Sequence, residues 1–170
     1  MSVREVIKLP HPTLRKKARD VHDFGDEFQE LVEDMVETMR VEDGVGLAAP
    51  QVNQSFRVVV VEYPEDDSQE DAPKKLFVMV NPEIVKRSEE TILGIEGCLS
   101  VPDIVGEVER SEKVEVRGLN RYGKKMKVRA KGWLARVFQH EIDHLDGVLF
   151  VDRATQIWKT SEIEEEVPVE

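Results

Sequence analysis

Cysteine is almost absent from this chain: Cys98 is the single one in 170 residues. No internal disulfide can form, so packing must hold the fold. The thiol is then a metal ligand, a nucleophile or a buried apolar group, the last being the ordinary fate of a lone cysteine. Long apolar runs are missing too. None approaches the roughly 18 residues of a membrane-spanning helix, so no membrane partner is expected. The opening residues, Met1-Ser2-Val3-Arg4-Glu5, have neither the apolar stretch of a secretion signal nor the composition of a transit peptide, and the expected location is the cytoplasm. Positive charge is outnumbered, with 24 Lys and Arg against 35 Asp and Glu and a net charge of -11. A pI near 4.9 argues against direct nucleic-acid binding, which needs basic surface.

What is present reads as one ordinary domain. A chain with 40% hydrophobic and 35% charged residues has the balance of a soluble globular protein and the length for a real core. Residues 26–40 predict a first helix, with Asp26 as candidate cap and an apolar stripe of Phe28, Leu31, Val32, Met35 and Met39. It should fail at Asp43-Gly44 and give way to a glycine-rich loop over 44–51. Residues 56–61 predict a buried β-branched strand and 76–80 a second, stopped by Asn81-Pro82. A further strand is expected within 83–95. Residues 62–73 hold six acids and two prolines and predict a solvated loop.

Over 112–131 apolar and charged residues alternate about a turn at 120–123, which predicts a half-exposed antiparallel hairpin. Its basic side chains read as a solvated strand face rather than an RNA patch. A second helix is expected over 132–146, with Leu134, Phe138, Ile142 and Leu145 on its buried side and Gly147 as terminator. The domain is expected to span 1–153, followed by an acidic tail over 154–170.

The second helix carries His140-Glu141-Ile142-Asp143-His144. Two imidazoles four residues apart lie on one helix face, one turn above each other, and can share one metal ion. Glu141 beside them can handle the protons of a metal-bound water. A catalytic tetrahedral site wants a third protein ligand and an open position. Proteases with this motif take that ligand from downstream, but no histidine follows His144, only an acidic tail. Upstream, Glu96-Gly97-Cys98-Leu99-Ser100 offers a thiolate, which metal would favour by lowering its pKa. In the segment 44–51, Gly-Val-Gly-Leu-Ala-Ala-Pro-Gln, small residues let a backbone approach closely, and Gln51 brings an amide that can donate to a developing oxyanion. It is not a phosphate loop, because no Gly-Lys-Ser/Thr follows and it comes after a helix rather than a strand.

These three segments, in this order, resemble the three signature motifs of the peptide deformylase family, and the similarity covers roughly residues 3–153. The resemblance implies an α+β fold of antiparallel and mixed sheets packed around a central metal-binding helix. It implies a metallohydrolase that removes the formyl group from the N-terminal formyl-methionine of nascent peptides and releases formate. The ligands would be Cys98, His140 and His144, and Glu141 the general acid and base. Gln51 and the N–H of Leu99 would form the oxyanion hole, and Gly46 would lie against the substrate backbone. The implied cofactor is one divalent ion, iron(II) first, with zinc, nickel or cobalt able to occupy such a site. Work on nascent peptides implies transient ribosome contact, for which five glutamates from Glu162 onward make the tail a poor anchor.

Several residues keep two readings. Val137 is pocket lining or core, and Ile104 or Val105 can line the methionine pocket. Asp143 steadies a ligand or caps the helix, and Arg110 is an ion-pair partner or meets peptide carbonyls. His11 and His22 read as surface residues. The rival functions are a zinc endopeptidase, a cysteine hydrolase using Cys98, and a non-catalytic metal-binding module, the last disfavoured by Glu141.

Overall fold

A computed structural model describes residues 2–162. Its centre is the helix α2 (Gly132–Leu145), whose residues from Leu134 to Leu145 are all buried. On one side lies a five-stranded antiparallel sheet in the order β1-β2-β3-β6-β7, made of Gly46–Ala48, Val58–Tyr63, Lys75–Arg87, Lys113–Leu119 and Lys125–Lys131. On the other lies a three-stranded sheet, β4-β5-β8, made of Thr91–Cys98, Val101–Ser111 and Gln156–Lys159. The helix α1 (Asp26–Val41) covers the far face of the larger sheet, and α3 (Phe150–Arg153) packs near the smaller one.

The period-two geometry of β2 builds these layers. Val59 and Val61 join Val137, Phe138, Ile142 and Leu145 of α2 in one core cluster. Val58 and Val60 point the other way and join Phe28, Leu31, Met35 and Met39 of α1 in a second. All four valines are fully buried, as expected of a central strand between two helical layers. The hairpin over 112–131 forms with Val114, Val116, Val128 and Ala130 buried and Lys113, Arg117, Lys127, Arg129 and Lys131 exposed; Glu115, expected on the exposed face, is instead buried by its ion pairs with Arg117 and Arg129.

Four other local expectations need correction. Gly25 caps α1, and Asp26 is its first residue, where its charge complements the helix dipole. The segment 44–51 is not a plain loop: residues 46–48 form β1, and Ala49–Val52 is a 3-10 turn. Asn81-Pro82 does not stop the second apolar strand, because β3 runs through it with a register shift between Val80 and Glu83. Asn81 takes a φ of 51°, and its side chain pairs with the backbone of Val21 at 2.8 and 3.0 Å. A bulge is where a strand tolerates a proline that cannot donate. Finally, the strand expected within 83–95 is split between the end of β3 and β4, and β5 follows β4 in a hairpin whose turn is Leu99-Ser100.

Beyond residue 153, β8 pairs with β5 from Ile104↔Lys159 to Glu107↔Gln156. Residues 163–170, which hold most of the acids of the expected tail, lie outside the described residues. No helix among the described residues is long and apolar enough to cross a membrane.

Candidate metal centre

Two elements bring three donor atoms together. One helical turn places the rings of His140 and His144 5.1 Å apart between centroids. Cys98 is the last residue of β4, immediately before the tight turn, so its side chain meets the helix from the opposite side. One ligand atom from each of the three residues lies within 4.8 Å of the others, and Cys98 Sγ is 3.4 Å from His144 Nε2. A tetrahedral ion bonded to sulfur and nitrogen at ordinary lengths spaces its ligands by roughly 3.3–3.6 Å. All three are buried, as a shielded inner-sphere site requires. The donor set therefore fits one divalent ion, and thiolate with imidazole suits iron, zinc, nickel or cobalt.

The protonation states fit as well. Burial, aided by the neighbouring positive charge of Arg110, pushes the His144 imidazole well below its ordinary pKa. That keeps it neutral, the form that binds metal. His140 Nδ1 lies 2.9 Å from Glu96 Oε1. With the proton on Nδ1 donated to that carboxylate, Nε2 would be the nitrogen that holds an ion. Glu96 is fully buried and also takes Arg110 through Nε and Nη2, both at 2.9 Å. Burial opposes its ionisation, but the hydrogen bonds from Arg110 and His140 and the Arg110 charge outweigh it and hold the carboxyl far below its usual range.

Glu141 is the opposite case. It is fully buried, and neither carboxylate oxygen has a hydrogen-bond partner among the described residues. Burial pushes its pKa up to about 7, where a group can both accept and return a proton near neutral pH. A Cβ on Gly46 would stand 2.7 Å from Glu141 Oε2, so the glycine in β1 leaves room for this carboxylate. Gln51, also fully buried, lies in the 3-10 turn after β1. Its Oε1 accepts from the Ala48 N–H at 3.0 Å. That aims Nε2 at the cluster, 3.2 Å from Ser100 Oγ and 3.5 Å from Cys98 Sγ. Leu99, half-buried, follows Cys98 at the turn.

A model of the polypeptide deformylase family matches residues 3–160. The chain belongs to the polypeptide deformylase family. Its members are metal-dependent hydrolases that remove the N-terminal formyl group from nascent peptides. Among its relatives is the peptide deformylase of Symbiobacterium thermophilum, 49% identical over 166 residues, which are 98% of this chain and 73% of that one. The peptide deformylase of Desulforudis audaxviator is 47% identical over 95% of this chain and 100% of its own. The crystal structure of the Thermotoga maritima peptide deformylase superposes with a TM-score of 0.82 at 40% identity, covering 92% of this chain and 100% of that one. A Met-Ala-Ser-bound class I type b peptide deformylase from Acinetobacter baumannii has the same TM-score, 0.82, at 44% identity, covering 90% and 99%.

Within this deformylase fold the residues left with two readings separate. Arg110 is a buried ion-pair partner: besides Glu96 it reaches Asp143 Oδ2 at 2.7 Å. Asp143 in turn takes Arg153 at 2.6 and 3.1 Å, so it anchors Arg110 beside the ligand helix. Val137 is fully buried core. Val105 is buried opposite Gly97 in the β4–β5 ladder, and Ile104 is half-buried against the cluster that holds Cys98. His22 is exposed, whereas His11 is half-buried and accepts the Thr13 N–H at 3.3 Å to cap the first 3-10 turn. The sequence reading gave no role to Glu96, Arg136 or Ser100. Glu96 and Ser100 sit at the ends of the Cys98 segment, so their spacing from the thiol was the available signal. Arg136 had one too, as a charged residue one turn before His140 on the buried side of a helix.

Proposed function

We propose that Cys98, His140 and His144 hold one divalent ion and that Glu141, Gln51, Leu99 and Gly46 complete the deformylase site around it. The observation that carries this reading is the single buried cluster of three donors with the elevated-pKa carboxylate of Glu141 on the same helix. When bound, the ion supplies Lewis acidity that makes hydroxide available from water near neutral pH. The resemblance to the family implies iron(II).

The chain's own residues do the rest. Glu141 accepts a proton from the attacking water as the water oxygen bonds to the formyl carbon, then delivers it to the amine nitrogen as the C–N bond breaks. The products are formate and a free N-terminus. The carbonyl oxygen gains negative charge on the way, and Gln51 Nε2 and the Leu99 N–H donate to it in this reading. β1 is the outer strand of its sheet, so an extended peptide can add to it beside Gly46 and present its first residue to Glu141. The absence of a Cβ there serves both the carboxylate and that approach. The substrate is a nascent formyl-methionyl peptide met in the cytoplasm by transient ribosome contact, and the catalytic domain extends past the expected boundary at 153 to take in β8.

A peptide pair tests this. Formyl-Met-Ala-Ser should yield formate and Met-Ala-Ser, the peptide bound in one A. baumannii structure. Unformylated peptides should remain uncut at internal bonds. Internal cleavage without formate release would instead indicate an endopeptidase.

A further inference from the structure

Arg136 lies on α2 one turn before His140, with its guanidinium buried. Nη1 donates to Glu96 Oε2 at 2.7 Å and to the Val108 carbonyl at 2.9 Å. Nη2 donates to the Ile92 carbonyl at 2.7 Å. The group also sits over the Trp133 ring, 5.5 Å from its centroid. One side chain of the ligand helix thus grips both β4 and β5. The backbone of β4 makes room for it: a Cβ at Gly94 would stand 2.8 Å from Arg136 Cζ, and no positive φ demands glycine there.

The two oxygens of Glu96 divide their partners. Oε1 meets Arg110 Nη2 and His140 Nδ1, both at 2.9 Å. Oε2 takes Arg110 Nε at 2.9 Å and Arg136 Nη1 at 2.7 Å. Arg110 is shared with Asp143, so it is not dedicated to Glu96. Arg136 supplies a second clamp from the helix that carries His140. Stability alone does not call for this arrangement, because replacing buried ion pairs by well-packed apolar residues is often neutral or stabilising.

We propose that Arg136 is a positioning residue for the metal centre: it fixes the plane of the Glu96 carboxylate, and through it the ring orientation and tautomer of His140. The inference rests on His140 being a metal ligand. Partners that orient a ligating imidazole typically change metal affinity about 10–100-fold when removed.

The test is cobalt(II) titration of metal-free protein, followed by its visible absorption, which reports ligand geometry as well as affinity. Arg136→Met should bind cobalt about 10–100-fold more weakly and with a shifted spectrum, and Arg136→Lys should recover part of both. Gly94→Ala keeps Arg136 but displaces its guanidinium. It should weaken cobalt binding in the native background and have no effect in the Arg136→Met background, the signature of one shared interaction. Native-like affinity and spectrum in folded Arg136→Met would overturn the proposal, as would additive losses in the double variant. Should Arg136→Met not fold, Gly94→Ala alone decides: weakened cobalt binding at an unchanged urea midpoint supports the proposal, and unchanged binding refutes it. His140→Ala separates the two levels of failure, since native cobalt binding by that variant removes His140 as a ligand and this inference with it.

Discussion

Replacing Gln51 by alanine separates catalysis from stability in one variant. Its side chain is held at both ends: Oε1 by the Ala48 N–H at 3.0 Å, and Nε2 near Ser100 Oγ at 3.2 Å. Losing one oxyanion donor costs about 2.7–4 kcal/mol of transition-state stabilisation, or roughly 10²–10³ in kcat. The structure adds a separate cost, because the Ala48 N–H loses the side-chain acceptor it has in this fully buried turn. An orphaned buried donor costs about 1–3 kcal/mol, which in a domain of this size lowers Tm by roughly 2–4 °C per kcal/mol. Gln51 is not among the three donors, so metal should stay bound. Gln51→Ala should therefore show a large fall in kcat on formyl-Met-Ala-Ser, a moderate fall in Tm and native metal content. A kcat within about threefold of native at full metal loading would remove Gln51 from the oxyanion hole, because even the low end of that range predicts far more.

Glu141→Gln should keep the fold and the metal and lose turnover, measured as formate release; retained activity would exclude Glu141 as proton carrier. The same variant has a pH signature in the metal-free protein. A carboxyl raised to about 7 by burial is fully tolerated below its unfolded value of about 4.3 and costs stability as pH rises through its folded value. Urea midpoints should thus differ little near pH 4, with Glu141→Gln gaining on the native chain toward pH 8. Gly46→Ala places a methyl 2.7 Å from Glu141 Oε2 and should lower kcat with metal content unchanged, measured on metal-loaded protein. For Asp34, burial raises the pKa, but the Ser2 N–H at 2.8 Å and Arg4 at 2.9 Å outweigh it and leave the carboxyl below its ordinary value. Its contribution is present above about pH 3.9 and is lost as pH falls through the folded value. Asp34→Ala should therefore lower Tm at pH 7 and lose its effect toward pH 2.

Legibility followed the range of the interactions. The apolar stripe of α1, the four valines of β2 and the alternation over 112–131 are local patterns, and each forms the expected element. His140 and His144 were readable because one helical turn sets their spacing, and Cys98 entered because a two-ligand site needs a third donor. Misread elements depended on distant partners. β3 passes Pro82 because Asn81 is held from across the chain by Val21. β1 is a strand only because β2 lies beside it. The Glu96–Arg110–Arg136 cluster was missed for the same reason. Its members come from β4, β5 and α2, so the ion-pair reading of Arg110 had no partner to name until the fold buried all three together.

The most direct test of the central assignment measures bound metal and formate release on the same samples: native protein, chelated protein, chelated protein given iron(II), and Cys98→Ala. Native and iron-restored protein should carry one ion per chain and release formate from formyl-Met-Ala-Ser, while chelated protein and Cys98→Ala should do neither. Formate release by Cys98→Ala at native rate, or by protein shown to be metal-free, would contradict the assignment of Cys98, His140 and His144 as the catalytic metal site.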